Sequence, residues 1–438
     1  MIEASRQVFR ATARTLAKAL GKRGLEAGGG GRRWQGAAML HAPHAAQLQA
    51  RAPAKARGAG LYVNSPWGAK IVETLAAELV GKGWQARSQH LDRGRARLLN
   101  DAFEDMVNPH LLGLARALVR DGEAVFRLIA DEEGRLELRQ LPADQLDPSV
   151  NRELPNGGRI IAGVEFDAAE RIVAYWLLPV PPDTPFATWG DAVRVPAEDV
   201  LHVFDRQFPG QVRGVSWMAP AMLRIRDRDE AGDALLVQLK VAAQLTGFVR
   251  DPEGGTAGFG DGPGEAINVS LEPGAMRVLP PGADVTFSSP PAGPAQALEF
   301  LKLQDREIAA AVGLPAFMLD GDMTQVNYSS ARTALIPHRR RIEMLQKVLI
   351  EGQFLKPLWR RWCDMQILAG ELEGTPDARA VRLVAPGWSW VDPQKEVAAE
   401  REAVEAGFKS RSEVIAGRGR DPDEVAEEIA AERQEVPQ

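Results

Sequence analysis

The hydrophobic period changes in the middle of this chain, and that change restricts the fold more than any other feature. Between Glu123 and Val203 apolar residues recur towards every second position, whereas the flanking stretches carry them at helical spacing. The alternation predicts strands at Ala124–Ile129, Arg135–Gln140, Arg159–Phe166, Ile172–Leu178 and Val200–Phe204. Asp121-Gly122, Glu133-Gly134 and Asn156-Gly157 mark turns between them. Strands that follow helices as a block, rather than alternating with them, predict an α+β fold instead of a doubly wound sheet.

Helical signals occupy both flanks. Ser65 before Pro66 reads as an N-cap with proline in the first turn, opening Trp67–Val80 with Ile71, Leu75 and Leu79 on one face. Gly81 ends that helix. Two further helices are predicted at Arg93–Val107 and Pro109–Asp121. Beyond Val215, Trp217–Ala243 joins a very polar stretch, Arg224–Asp233, to an apolar one, Ala234–Ala243, as though one helix crossed between environments. A Gly/Pro-rich segment follows, with short strands expected at Met276–Leu279 and Asp284–Phe287, and helices return at Ala295–Val312 and Ser329–Gly370. Pro337 is expected to kink or break the last of these, because it lacks the amide the ladder needs. Acidic helices are predicted at Pro393–Gly407, Ser410–Gly417 and Asp423–Glu432, the middle one opening with the Ser410-to-Glu413 capping-box spacing.

At 438 residues the chain is long enough for two or three folded units, and 45% hydrophobic residues exclude wholesale disorder. The single cysteine, Cys363, excludes an internal disulfide framework and a zinc site built on cysteine pairs. Charge is unevenly spread. Residues 1–60 hold eleven Lys/Arg against two acids, and residues 395–438 hold seven bases against twelve acids. A basic end and an acidic end suggest contacts with different partners. The first 60 residues, with a helical stretch at Arg6–Leu20 and the Gly28–Gly31 run, are expected to form a flexible arm. Met1–Gly21 has charges throughout and no apolar core, so a secretory signal is not expected, and Ala234–Val249 is too short and too interrupted to span a bilayer.

Catalytic and cofactor signatures are weak. Gly214-Val215-Ser216-Trp217-Met218 lacks the second glycine of a nucleophile elbow, so Ser216 reads as a helix cap; a serine hydrolase would need a nearby histidine, and His202 is the only sequence neighbour. Gly28–Gly31 and Gly81-Lys82-Gly83 lack the spacing of a phosphate loop. Asp320 and Asp322 flank Gly321, a pattern usable by a divalent cation but more simply read as solvated loop charge. Arg339, Arg340 and Arg341, with Lys347, are suited to phosphate; Arg332, Arg339 and Glu343, with other charges, are equally suited to inter-subunit ion pairs, and the second reading is preferred. No enzyme, metal or cofactor is therefore expected.

Three segments together carry a resemblance. They are Asn64-Ser65-Pro66-Trp67 through Gly81-Lys82-Gly83, then Arg213-Gly214-Val215-Ser216-Trp217-Met218-Ala219-Pro220, and finally Gly313-Leu314-Pro315 through Gly321-Asp322 to Val326-Asn327-Tyr328-Ser329-Ser330-Ala331-Arg332. Arg339-Arg340-Arg341, Trp359-Arg360-Arg361-Trp362 and Gly419-Arg420-Asp421-Pro422 extend it. The sequence resembles the portal proteins of lambda-type tailed bacteriophages and their prophage and gene-transfer relatives. That resemblance implies a ring, usually of twelve subunits, at one capsid vertex, with a channel for double-stranded DNA during packaging and ejection. It implies docking by the terminase large subunit, the major capsid protein and a head-completion adaptor, in a virion assembled in the host bacterial cytoplasm, with no membrane. Mapped by motif order, residues 60–215 would be the wing, 216–248 and 294–312 the stem helices, and 249–293 the clip. Residues 313–330 would hold the tunnel loop, 331–392 the long helix and its return to the wing, and 393–438 an acidic crown and tail. The loop would present Asp320, Asp322, Thr324, Gln325, Asn327 and Ser329 to DNA, while Arg332, Arg339, Arg340 and Arg341 would lie near DNA or between subunits. The competing reading is a ring-forming tail or baseplate protein without a packaging role.

Overall fold

The computed structural model describes residues 42–90, 92–131, 135–185, 190–243, 247–250, 284–287, 294–324, 326–374, 379–389 and 392–435. Residues 1–47 and 48–438 group as two units. The Arg6–Leu20 helix, the Met276–Leu279 strand, Trp390 and most of residues 249–293 lie outside the described residues.

Helix α1 (Pro43–Asn64) leads into α2 (Pro66–Val80), and α3 (Arg93–Arg120) follows the short strand β1 (Gln85–Ser88). The expectation of a flexible segment reaching residue 60 therefore fails for α1: Arg51 is buried, and Gly58 sits so close to the Arg120 carbonyl that a Cβ would stand 2.8 Å from it. The two helices expected at Arg93–Val107 and Pro109–Asp121 are one, running through Pro109. Proline is tolerated there because it lies on the exposed face, where water can satisfy the carbonyl its missing amide abandons.

The strand block forms two antiparallel sheets. Strands β2 (Glu123–Ala130), β3 (Leu136–Leu141) and β9 (Val200–Phe204) make one, in the order β3-β2-β9. The other runs β4 (Arg152–Glu153), β5 (Arg159–Ile161), β6 (Val164–Phe166), β7 (Ile172–Leu177), β8 (Val193–Pro196) in sequence order. The single strand expected over Arg159–Phe166 is in fact the β5–β6 hairpin, turning at Ala162 and Gly163, whose φ values are 47° and 83°. Period-two patterning cannot distinguish a strand from a tight hairpin when the turn residue is itself small and apolar.

Strand β2 divides two cores. Ala124, Phe126 and Leu128 enter the larger one, shared with α2, α3 and the C-terminal helices, while Val125 points to the smaller one with Val164, Tyr175 and Val195 of the second sheet. Side-chain alternation along a strand produces this division.

Helices α4 (Met222–Ala243) and α5 (Pro294–Val312) form an adjacent pair, and β10 (Gly247–Arg250) pairs antiparallel with β11 (Asp284–Phe287) between them in sequence. Helix α4 begins at Met222, not at the expected Trp217, because residues 217–221 form turns. A short α6 (Ala316–Asp320) precedes α7 (Tyr328–Leu345), which passes through a π-helical stretch, Gln346–Leu355, into α8 (Lys356–Leu368). Pro337 does not interrupt α7, since it too lies on the exposed face. The irregularity falls in the π stretch instead, which seats Leu349, Ile350 and Phe354 in the larger core. There Gln353 exchanges hydrogen bonds with the Phe204 amide (3.1 Å) and carbonyl (3.2 Å), closing the free edge of β9. Strand β12 (Val381–Val384) pairs with β1, and α9 (Pro393–Glu405), α10 (Arg411–Gly417) and α11 (Pro422–Glu435) complete the chain.

Candidate functional site

The loop between α6 and α7 is built from short-range hydrogen bonds. Gly321 adopts φ 73° at the end of α6, a conformation that favours glycine, and the chain then reverses. Asp320 accepts the Asp322 amide at 2.9 Å, and Asp322 accepts both the Thr324 amide (2.9 Å) and its hydroxyl (2.5 Å). Asn327 and Ser330 then form a reciprocal capping box that starts α7. Ser329 uses its carbonyl to accept the Thr333 hydroxyl at 2.8 Å. Gln325 lies outside the described residues.

Lys302, one element back on α5, reaches Asp322 at 3.3 Å. Bonds from Thr324, joined by Lys302, hold the Asp322 carboxyl down to about 2. The loop therefore keeps its negative charge across any physiological pH, but one of its two carboxylates is offset by a lysine. Sequence order gave no sign of this pairing, because the two residues are brought together only by the α5–α6 reversal. Beside the loop a groove of about 460 Å³ is lined by Glu299, Lys302, Arg306, Phe317, Asp320 and Val326.

The basic cluster divides by geometry. Arg341 donates to the Val312 carbonyl at 2.7 Å and packs so tightly on Gly313 that a Cβ there would meet its guanidinium at 2.2 Å. It caps the C-terminus of α5, and its burial lowers its pKa. Arg339 stacks on the Trp388 ring at 5.2 Å and donates to the Ser389 carbonyl, while Glu343 accepts the Trp388 indole N–H at 2.8 Å. Arg339 and Glu343, expected to serve inter-subunit pairs, both clamp one tryptophan within this chain. Arg332 and Arg340 are exposed and have no ion-pair partner among the described residues.

The Arg213–Pro220 motif has a structural explanation. Glu123, fully buried, is met by Arg213 (2.7 Å), Arg51, His202 (3.0 Å) and the Gly214 amide (2.8 Å). Burial alone would raise the Glu123 carboxyl, but Arg213, Arg51 and His202 outweigh it and hold it well below the usual carboxylate range. Burial lowers the His202 pKa, outweighing the opposite pull of the Glu123 carboxylate. Arg213 also donates to the Ala143, Leu146 and Ala162 carbonyls, so one guanidinium joins both sheets. Gly122 and Gly214 permit the contact: a Cβ on Gly122 would stand 2.0 Å from the Val215 backbone, and one on Gly214 2.1 Å from the Gly122 carbonyl. The sequence signal was a lone acid, Glu123, opening an apolar strand directly after Gly122.

Ser216 is buried beside this knot. Its hydroxyl donates to the Val119 carbonyl (3.3 Å) and accepts the Met218 amide (3.2 Å), so it caps a turn, while His202 is engaged with Glu123. Among the described residues no group of three or more His, Cys, Asp or Glu gathers as a metal site, and no helix is long and apolar enough to cross a membrane.

The α4–α5 pair is fastened near its base and open along its length. Arg228 pairs with Asp305 at 2.9 Å and lies 4.6 Å over the Trp67 ring. Beyond Ile225, no side chain described in α4 is buried. Leu236, Val237 and Leu239 on α4, and Leu298, Phe300 and Leu303 on α5, are each 45% exposed or more. Such a row on two adjacent helices requires cover from elsewhere.

The family model for phage portal proteins of the lambda family matches residues 30–346. This chain belongs to that family. The match takes in the buried Arg213 motif, the α4–α5 pair and the α6–α7 loop, and ends at the start of the π stretch. A probable portal protein of Halomonas phage phiHAP-1 is 30% identical over 327 residues, 72% of this chain and 63% of the relative, so the chain spans under two thirds of that protein's length. A chain from the neck of a native gene transfer agent particle overlays with a TM-score of 0.47 at 18% identity, covering 86% of this chain and 99% of that one. An HK97-family portal protein from Corynebacterium diphtheriae overlays at 0.33 and 14% identity, covering 78% and 96%.

Proposed function

We propose that this protein is a portal subunit that closes into a ring around a channel for double-stranded DNA. The exposed apolar row on α4 and α5 is the observation that carries the reading. Each leucine, valine or phenylalanine covered there gains roughly 0.7–1.5 kcal/mol, half the value for complete burial, because each is already about half covered, and a neighbouring copy of the same helix pair offers the matching surface. Closed cyclic symmetry covers this row on every subunit without leaving an open end.

In this reading α4 and α5 are the stem, and β10–β11 belong to the clip where the terminase large subunit docks. The two sheets with α2 and α3 form the wing facing the major capsid protein. Helix α1 joins that wing, because Arg51 is locked into the Glu123 knot. The helices from Pro393 onward form the crown, and a head-completion adaptor follows the motor at the clip. The α6–α7 loop would line the channel with Asp320, Asp322, Thr324, Asn327 and Ser329. Those side chains are carboxylates, hydroxyls and amides, and the ring beside them, Tyr328, is faced by the Lys395 ammonium at 5.2 Å, which occupies one of the faces on which a base could stack. Phosphates are repelled rather than trapped, which suits sliding. The loop charge is moderated by Lys302, and Asp322→Asn, which leaves that lysine uncompensated, is expected to slow transport by adding a phosphate contact.

Native mass spectrometry with negative-stain imaging tests the proposal. A closed ring with a central hole and about twelve times the 47.6 kDa chain mass is expected. A species that stays monomeric across concentration and salt, alone and with capsid and scaffold protein added, would overturn it.

A further inference from the structure

Away from the stem and loop, opposite charges face each other where α11 passes the start of α3. Arg87 reaches Glu424 at 2.8 Å, Arg93 reaches Glu427 at 2.6 Å, and Arg97 holds the same Glu427. A cleft of about 690 Å³ lies between the two walls, with His90 and Arg382 completing the basic side and Asp423 and Glu428 the acidic side. Arg93 and Arg97 are presented rather than buried, at 83% and 72% exposed, whereas Arg87 is 17% exposed and also holds Glu104.

Helix α11 is anchored firmly at one end only. Asp421 is buried and accepts the Asp423 (2.8 Å) and Glu424 (3.1 Å) amides, fixing the first turn. Just before it, Gly387 and Gly419 approach so closely that a Cβ on Gly387 would stand 2.1 Å from the Arg418 backbone. Farther along, Val425 and Ile429 are only half-buried, and neither belongs to the two cores. The helix is therefore held along its length by solvent-exposed ion pairs, the interactions that added salt or a competing polyanion weakens first.

We propose that α11 is an acidic latch seated on a phosphate-binding face formed by β1, β12 and the first turns of α3, and that duplex DNA displaces it. Arg93 and Arg97 stand one helical turn apart on the same face of α3, and the guanidinium fork suits phosphate oxygens as well as carboxylates. Glu424 and Glu427 occupy those forks while DNA is absent. When duplex accumulates beside this face, its denser charge outcompetes the two carboxylates, and α11 swings out about its Asp421 anchor. The face then registers the presence of DNA. This inference rests on the reading that the protein handles duplex DNA, but not on the ring.

The test uses full-length protein carrying Glu424→Gln, Glu427→Gln and Glu428→Gln together, titrated against a fluorescent duplex over a series of salt concentrations. The variant is expected to bind more tightly than wild type. Its log affinity should fall more steeply with log salt, by about two for the two freed arginines, Arg93 and Arg97, since Arg87 keeps Glu104 at 3.1 Å. A charge-matched variant, Glu402→Gln with Glu405→Gln and Glu413→Gln, removes the same charge from exposed sites on or beside α9 and α10, and is expected to leave binding unchanged. Adding Arg93→Gln and Arg97→Gln to the latch variant should return binding to the wild-type level. The latch is refuted if the charge-matched variant gains as much, if the gain survives loss of both arginines, or if the latch variant gains nothing. The native mass of the same samples reports ring closure separately, so a failed latch and a failed portal reading give different results.

Discussion

Replacing Arg213 with methionine tests whether the knot at Glu123 holds the two sheets together. The guanidinium donates to both Glu123 oxygens, Nε to Oε2 at 3.0 Å and Nη2 to Oε1 at 2.7 Å. It also serves the Ala143 (2.8 Å), Leu146 (3.0 Å) and Ala162 (2.9 Å) carbonyls. Methionine keeps the apolar stem volume and donates nothing. The Leu146 and Ala162 carbonyls then lose a partner, at about 1–3 kcal/mol each if left unsatisfied, while Ala143 keeps Arg51 at 3.2 Å. Glu123 keeps Arg51, His202 and the Gly214 amide, so its own penalty is partial. Relaxation around the carbonyls limits the total, and the expected loss is about 3–5 kcal/mol, as for breaking other buried pairs. Arg213→Lys keeps the charge but cannot span five acceptors, and should lose about half as much. Arg171→Met, removing a pair in which the arginine is 80% exposed, should change stability by no more than about 0.5 kcal/mol. Urea titration followed by tryptophan fluorescence measures all three. If Arg213→Met stays within about 1 kcal/mol of wild type, the knot does not organise the fold and the argument fails.

Other consequences are open to direct measurement. The depressed Glu123 pKa adds stability above the ordinary carboxylate value of 4.5, and that stability is lost as pH falls through the lower folded value. Glu123→Gln should therefore be less stable than wild type at pH 7 and show a shallower decline below about pH 4.5 in denaturant midpoints. Burial, with Asp364 alongside, pushes the Cys363 thiol up to about 12, so iodoacetamide at pH 8 should label it only after unfolding; rapid labelling of native protein would contradict its placement. Gly214→Ala forces a Cβ to 2.1 Å from the Gly122 carbonyl and should give insoluble protein or a loss above about 3 kcal/mol. On α5, Phe300→Asp should leave the subunit folded by circular dichroism, because that ring is 52% exposed, and should shift native mass from the proposed ring to monomer.

Local chemistry explains what was legible before any coordinates. Alternation along Ala124–Ile129 and Val200–Phe204, the Ser65-Pro66 start and Gly81 stop, and the acidic end helices all depend on neighbours a few residues apart, so they could be read directly. The resemblance identified the family on the same footing, through contiguous motifs. Long-range pairing was invisible. Nothing local brings Lys302 to Asp322, Arg51 to Glu123, or Gln353 to the edge of β9. Pro109 and Pro337 show the limit in another way. Whether proline ends a helix depends on which face it occupies, and packing of the opposite face decides that. Arg339, Arg340 and Arg341 look equivalent in sequence, yet one grips Trp388, one faces water and one caps α5. The chain by itself determined where helices give way to strands, its α+β class and its family, though not every element's bounds. Tertiary structure alone decided which charges are spent inside the subunit and which remain for partners, because only folding sets the distances over which charges act.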